Sequence, residues 1–476
     1  MSNETVKVQV FPKILTPDPK VDFVTDTPNA TISEVILTVL LPLLSACVHA
    51  VSFLIHTGGR RTQILFFINE QIFLVLPVLL GLTIWSDYLN ALNLCLFCLF
   101  LLVVMLKSRV PLHQFLRHIT TTISGDDTSY ISVYKAIIQL LTAFTILAVD
   151  FHIFPRRFAK SESFGLGNMD LGVGIIIMSM GLTSPAARGI KTVTFKDLLK
   201  TVQSSFIIIL LGCIRLILVK LTNYQEHVSE YGLYWNFFFT LACVRIIASI
   251  IQYFSQSLCN QLGYLVISLC LILTYQFLLS NFGLETFLVY GANGLNARST
   301  FVDANREGIF SLIGFLSLYF IGIYHGAQLF KQHLTLQSKV KWLFVWFFVM
   351  IGTLQLSRYL ITDISRQMAN LSYYFFIVAI NSFLLACTLL LQITIKTIAA
   401  LNTKYDGVYK YGRLMTPLFH SISRHQLLYF MLANVFTGLI NKIFNTLQMS
   451  HSGSIVLLGS YMGILNLIVI LISEYF

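Results

Sequence analysis

A chain of 476 residues that is 56% hydrophobic and 11% charged, with a mean hydropathy of +0.76, is not a soluble globular protein. Soluble domains carry about 25% charged residues, so the composition defines an integral membrane protein. The net charge of +11 invites nucleic acid as a partner, but Lys and Arg collected in cytoplasmic loops account for it.

The first 33 residues are polar and hold Pro12, Pro17, Pro19 and Pro28. They read as a flexible tail, and residues 34–476 as a single polytopic membrane domain. No signal-peptide core precedes the first apolar run, so that run is expected to act as the targeting signal. Two glycosylation sequons, at Asn3 and Asn29, suggest a lumenal tail.

Apolar runs follow at 34–55, 63–85, 88–106, 131–151, 169–184, 204–222, 235–255, 261–280, 309–329, 341–361, 372–395, 426–445 and 453–473. They predict an all-α bundle of about thirteen transmembrane helices. The run at 169–184 is short and Gly-rich. The eight cysteines lie mostly inside these runs; Cys95-x-x-Cys98 falls in a lipid-facing one, so neither zinc, redox chemistry nor a disulfide framework is expected.

With the N-terminus in the lumen, Arg60, Arg61, Lys107, Arg188, Lys191, Lys396, Lys404 and Lys410 fall on the cytoplasmic side. The lumenal loops after the tail hold fewer cations: Arg156, Arg157, Lys160, Arg298, Arg306 and Arg366. The bias predicts a lumenal N-terminus and a cytoplasmic C-terminus. It also puts the loops 152–168, 223–234 and 281–308 on one face, and leaves the cations at 156–160 against the trend.

Those three loops carry the chemistry. Pro155 disfavours helix at Phe154, so the fourth span should end near Asp150–Phe154 with Asp150 in its last turn. There the helix dipole and burial raise a carboxylate's pKa while Arg156, Arg157 and Lys160 lower it, which can hold a usable base. The competing reading is an ion pair that anchors the loop. Asp170 opens the next helix, where capping is the favoured role. The second island runs from Asn223 to Asn236 and holds Glu226, His227, Glu230, Trp235 and Asn236; with no second His at ligand spacing, no metal is expected. In the third, Asn305 could cap a helix, and Arg306 could bind phosphate or pair with Glu307. P-loop, GxSxG, HEXXH and HX4D patterns are absent. A lumenal carboxylate with cations and no covalent nucleophile points to direct group transfer, or to binding and moving an anion.

The run Ala148-Val-Asp-Phe-His-Ile-Phe-Pro-Arg-Arg-Phe-Ala-Lys160, followed by Met169-Asp-Leu-Gly-Val-Gly174, resembles the signature of the GPI inositol acyltransferases, the family of the fungal GPI-anchored wall transfer protein and its animal counterpart. Tyr224–Gly232 with Trp235-Asn236, and Ala304–Phe310, look like two further motifs of that family in the same order. The resemblance spans nearly the whole chain, less closely in the N-terminal tail and the C-terminal third. It implies an endoplasmic reticulum enzyme that transfers a fatty acyl group, typically palmitoyl, to the inositol 2-hydroxyl of glucosaminyl-phosphatidylinositol. Acyl-CoA is then a co-substrate, with no other cofactor. The family's catalytic pair maps onto Asp150 and Lys160. Asp150 would take the inositol proton and Lys160 would stabilise the oxyanion. Arg156, Arg157, Asp170, Glu226, His227, Glu230, Trp235, Asn236, Asn305 and Arg306 are the candidate substrate contacts. A lipid or anion transporter and a non-catalytic subunit of a GPI-assembly complex stand as alternatives; the lack of an internal repeat counts against the transporter.

Overall fold

The computed structural model describes residues 23, 28–52, 60–108, 111–119, 128–189, 193–222, 228–292, 294, 298–401 and 416–475. The expected Asn3, Glu226 and His227 lie outside them. The described residues form helices and connecting turns, with no strand among them. The long helices, in chain order, are α1 (Ile32–Ser52), α2 (Ile64–Gly81), α3 (Leu89–Ser108), α4 (Ser129–Ala148), α5 (Leu171–Leu182), α6 (Phe195–Thr222), α7 (Phe237–Phe254), α8 (Gln261–Asn281), α9 (Arg306–Leu329), α10 (Leu336–Leu360), α11 (Leu371–Leu401), α12 (Gln426–Ile443) and α13 (His451–Tyr475).

Eleven of the described helices are long and apolar enough to cross a bilayer. The expected spans at 169–184 and 426–445 form α5, of 12 residues, and α12, of 18, and neither belongs to that set. The protein is therefore a multi-pass membrane protein, while the count of thirteen spans is not reached on length and hydropathy.

Burial separates a centre from a periphery. The apolar window of α11 is 78% buried, and those of α1, α4 and α9 are each 72% buried. The window of α6 is only 11% buried and exposes Phe206, Ile207, Ile217 and Leu221. Large exposed apolar side chains over a whole helix suit lipid, which penalises no methyl group. The central helices instead bury hydroxyls and amides that bond within the bundle. Ser268 Oγ donates to the Ser317 carbonyl at 2.7 Å, and Tyr275 Oη to the Met368 carbonyl at 2.8 Å.

The approach of α5 to α9 is set by small residues. A Cβ placed on Gly181 would come within 2.0 Å of the Tyr319 carbonyl oxygen, and one on Gly322 within 2.2 Å of that of Met178. Gly326 meets the Leu182 carbonyl in the same way. Gly322 and Gly326 stand four apart on one helix face, the spacing that lets two backbones touch in a membrane. This contact seats α5, which begins directly after Asp170. Replacing Gly322 by Val should therefore separate the helices and lower the detergent melting temperature of the purified protein. The same change at Gly352, whose Cβ would meet nothing within 4 Å, should have little effect.

Candidate active site

The three polar islands of the sequence converge at one end of the bundle. Lys160 of the first donates to Glu230 Oε1 of the second at 2.6 Å. The second is tied to the third twice: Leu233 N donates to the Ala304 carbonyl at 2.9 Å, and Tyr234 N to Asn305 Oδ1 at 2.8 Å. Gly232 makes this approach possible. Its φ is +114°, and a Cβ there would lie 2.5 Å from Asn305 Cα.

The first island is a compact loop between α4 and α5. α4 ends at Ala148, slightly earlier than expected, and Asp150 sits in the turn beyond it, its N–H donating to the Leu147 carbonyl at 3.1 Å. Asp150 is half-buried, and its Oδ2 accepts from Asn441 Nδ2 of α12 at 2.6 Å. Thr446 Oγ1 donates to the Asn441 amide oxygen at 3.1 Å and orients it. Arg156 folds back over the same turn, donating to the Val149 carbonyl at 2.7 Å and to that of Phe154 at 3.2 Å. Burial pushes its guanidinium down to about 10, against the pull of Asp150. Its Nη1 is buried with no hydrogen-bond partner among the described residues, and the Phe23 ring lies 4.0 Å from the guanidinium carbon.

Arg157 turns the other way. Its Nη2 donates to Asp87 Oδ1 at 2.6 Å, and its Nε stands 3.1 Å from Glu34 Oε1 without the alignment of a hydrogen bond. Two carboxylates already face this guanidinium, which disfavours the phosphate expected there.

Several other candidates hold the site together. Asp170 is fully buried; its Oδ2 accepts from the backbone of Gly167 at 2.7 Å and of Ser161 at 3.1 Å, and its Oδ1 accepts from Arg366 Nε at 2.8 Å. The Asp170 side chain does not cap α5, the favoured reading; it closes the turn and loop before that helix and takes a buried ion pair. Burial works against the Arg366 charge, but Asp170, Glu230 and Tyr231 hold its pKa above the usual range. Asn236 caps α7 by accepting from Phe238 and Phe239, and its Nδ2 donates to the Gly212 carbonyl of α6 at 2.9 Å. Trp235 Nε1 donates to Thr240. The Asn305 side chain does not cap α9; its oxygen is taken by Tyr234. Arg306 is fully buried and spends its donors on the Leu288 carbonyl and on Asp303. Glu307, one of the expected partners, forms a longer ion pair with Arg306 Nε at 3.7 Å and also receives two hydrogen bonds from Arg298. Arg306 is therefore a structural cation and not a phosphate ligand.

Residues absent from the expected set also matter here. Asn441 was visible only as an amide near the end of an apolar run, a costly placement in lipid. Arg366 was a basic residue in a loop, and nothing in its neighbourhood in sequence pointed 196 positions back to Asp170.

Away from this end, a cavity of about 210 Å³ opens between α4 and α5. It is lined by Lys135, Gln139, Ser179, Thr183 and Gln426 among apolar neighbours. Gln139 Oε1 is buried with no hydrogen-bond partner, and Lys135 has no ion-pair partner among the described residues.

A helical membrane bundle that gathers a carboxylate, an ammonium and an incompletely bonded guanidinium on one terminal loop belongs to the class of membrane-embedded polar centres built for group transfer or ion handling. The GWT1 family model matches residues 17–472. The chain is 31% identical to the glucosaminyl-phosphatidylinositol-acyltransferase PIGW of Mus musculus, across 83% of this chain and 85% of that protein. It is 30% identical to GPI-anchored wall transfer protein 1 of Candida albicans, across 93% and 94% of the two. This chain belongs to the GWT1 family.

The buried pair gives a prediction. Asp170→Asn removes the charge facing Arg366 and one acceptor for the loop amides. Leaving a buried cation unpaired costs about 3–5 kcal/mol. The variant should lose folded protein on heating well before wild type, and protease should cut it first between residues 155 and 168.

Proposed function

We propose that this protein transfers a fatty acyl group, palmitoyl in the first instance, from acyl-CoA to the inositol 2-hydroxyl of glucosaminyl-phosphatidylinositol during GPI-anchor assembly in the endoplasmic reticulum. The observation that carries this reading is the Asp150–Lys160 loop, in a chain whose relatives are named as glucosaminyl-phosphatidylinositol acyltransferases. Asp150 is half-buried and accepts a hydrogen bond from the Asn441 amide, which orients its carboxylate to accept a proton. As the inositol oxygen attacks the thioester carbonyl, its proton passes to Asp150. Lys160, 38% exposed in its pair with Glu230, stabilises the oxyanion that forms. The carbonyl–sulfur bond then breaks, and the proton leaves with the thiol. The unfilled Nη1 of Arg156 suits a phosphate oxygen of the acceptor lipid.

The cavity at Lys135 and Gln139 favours acyl-CoA as the donor. Lys135 precedes Asp150 by 15 positions, about 22 Å along a helix, comparable to an extended long-chain acyl group. An anionic head group held near Lys135 would let the acyl chain run between α4 and α5 toward the reacting end. A cytoplasmic donor could thus serve a centre at the opposite face, which agrees with a lumenal N-terminus and a cytoplasmic C-terminus.

Asp150→Asn removes the base and Lys160→Ala the cation. Each should lower turnover per folded molecule by about 100-fold or more. The double variant should be little worse than the poorer single one, because the two act on one step. Near-wild-type specific activity in Asp150→Asn would end the general-base assignment. An acyl-enzyme trapped from labelled acyl-CoA would replace direct transfer with a two-step route.

Orientation has its own test. A glycosylation sequon placed at the exposed turn around Gly294 should be modified in microsomes, and one placed within 402–415 should not. The reverse pattern would invert the topology.

A further inference from the structure

Beside the loop that carries Asp150 and Lys160 lies a second cavity, of about 310 Å³, lined by Glu34, Leu37, Ser86, Asp87, Asn90 and Arg157. Three segments build it: the first turn of α1, the turn that opens α3, and the Arg157 side of the α4–α5 loop. Its charges do not cancel. Glu34 and Asp87 bring two carboxylates against the single guanidinium of Arg157, which leaves one negative charge without a counterpart in the lining. Ser86 is 8% exposed and lines the cavity. Asn90 is exposed and also lines the cavity. A net negative hollow edged by a hydroxyl and an amide suits a polyol that carries one ammonium group.

We infer that this cavity holds the amino-sugar of the acceptor lipid, with Glu34 and Asp87 reading its ammonium and Ser86 and Asn90 its hydroxyls. The inference rests on the acceptor proposed above, a glucosaminyl lipid, whose sugar carries a free amine. Arg157 follows Arg156 directly in the chain, and Arg156 bonds the carbonyl next to Asp150. A sugar seated here therefore borders the turn where its inositol neighbour must present a hydroxyl to Asp150. Arg157 takes the role of spacing the two carboxylates rather than holding phosphate. The contact makes the amine a condition for good binding, so the enzyme selects lipids whose sugar nitrogen has no acyl cap.

The test compares two acceptors with the purified full chain: glucosaminyl-phosphatidylinositol, and the analogue with a hydroxyl in place of the amine. The wild type should bind the amine lipid about tenfold or more tightly, as expected for a charge-assisted hydrogen bond. In the Glu34→Gln/Asp87→Asn variant, the Kd and KM of the amine lipid should rise to those of the analogue, while those of the analogue stay unchanged. Asn90→Lys, at an exposed position, should weaken the amine lipid more than the analogue by placing a competing ammonium in the cavity. A wild type that does not distinguish the lipids overturns the inference. So does a loss that falls equally on both, because the carboxylates would then serve only to hold Arg157. Binding is read without acyl-CoA, so a wild type that prefers the amine lipid but transfers no acyl group would refute the acyltransferase reading and leave the sugar site standing.

Discussion

The buried contact between Asp170 and Arg366 is the constraint on which the polar end of this protein depends. One carboxylate closes the loop from Ser161 to Gly167 through two backbone amides and anchors it to the turn before α11 through Arg366. Tyr373 adds a third tie by donating to the Asp170 carbonyl at 2.8 Å. α11 has the most buried apolar window of the described spans, so the loop is anchored to the centre of the bundle. Arg156, Arg157 and Lys160 sit on that loop and inherit its position. A buried ion pair contributes little net stability after its desolvation cost, but breaking it leaves an uncompensated charge. Here it fixes one loop conformation.

The fixed loop lets neighbouring side chains divide the work. Arg156 turns toward Asp150, Arg157 toward Glu34 and Asp87, and Lys160 toward Glu230. Three cations within five residues would repel one another if they faced one volume. Instead Arg157 and Lys160 pair with carboxylates on other elements, and Arg156 bonds backbone carbonyls. The cations that ran against the positive-inside trend are thus explained by local partners, which is what a functional end of a membrane protein requires.

Most of the helices were legible in the sequence because the bilayer imposes one simple rule on length and polarity. The rule is weakest at α5, which is shorter than the other spans and depends on the Gly181, Gly322 and Gly326 contacts that a hydropathy window does not register. The convergence of the three islands was legible from the placement of loops by charge. The roles within them were less so. Arg306 and Asn305 look like ligands in a linear motif because both are polar and adjacent. Their partners, Leu288 and Tyr234, are 18 and 71 positions away, and only the fold shows that their hydrogen bonds are already spent. The same holds for Asn441, which reaches Asp150 across 291 positions.

These distant partners bear on how the centre can work at all. Had Asp150 faced Arg156 in a direct two-pronged ion pair, its carboxylate would be too weak a base to matter. Among the described residues Arg156 donates to backbone carbonyls, and Asp150 receives an amide donor from α12. An amide orients a carboxylate without neutralising it, and Thr446 in turn orients the amide. The Lys160 ammonium meanwhile pairs with Glu230 on a separate element, at a partly exposed position where the pair is worth at most about 1 kcal/mol. A bond that weak can yield to a developing oxyanion. Asp150 and Lys160 thus each take a partner from another part of the chain, Asn441 of α12 and Glu230 of the second island.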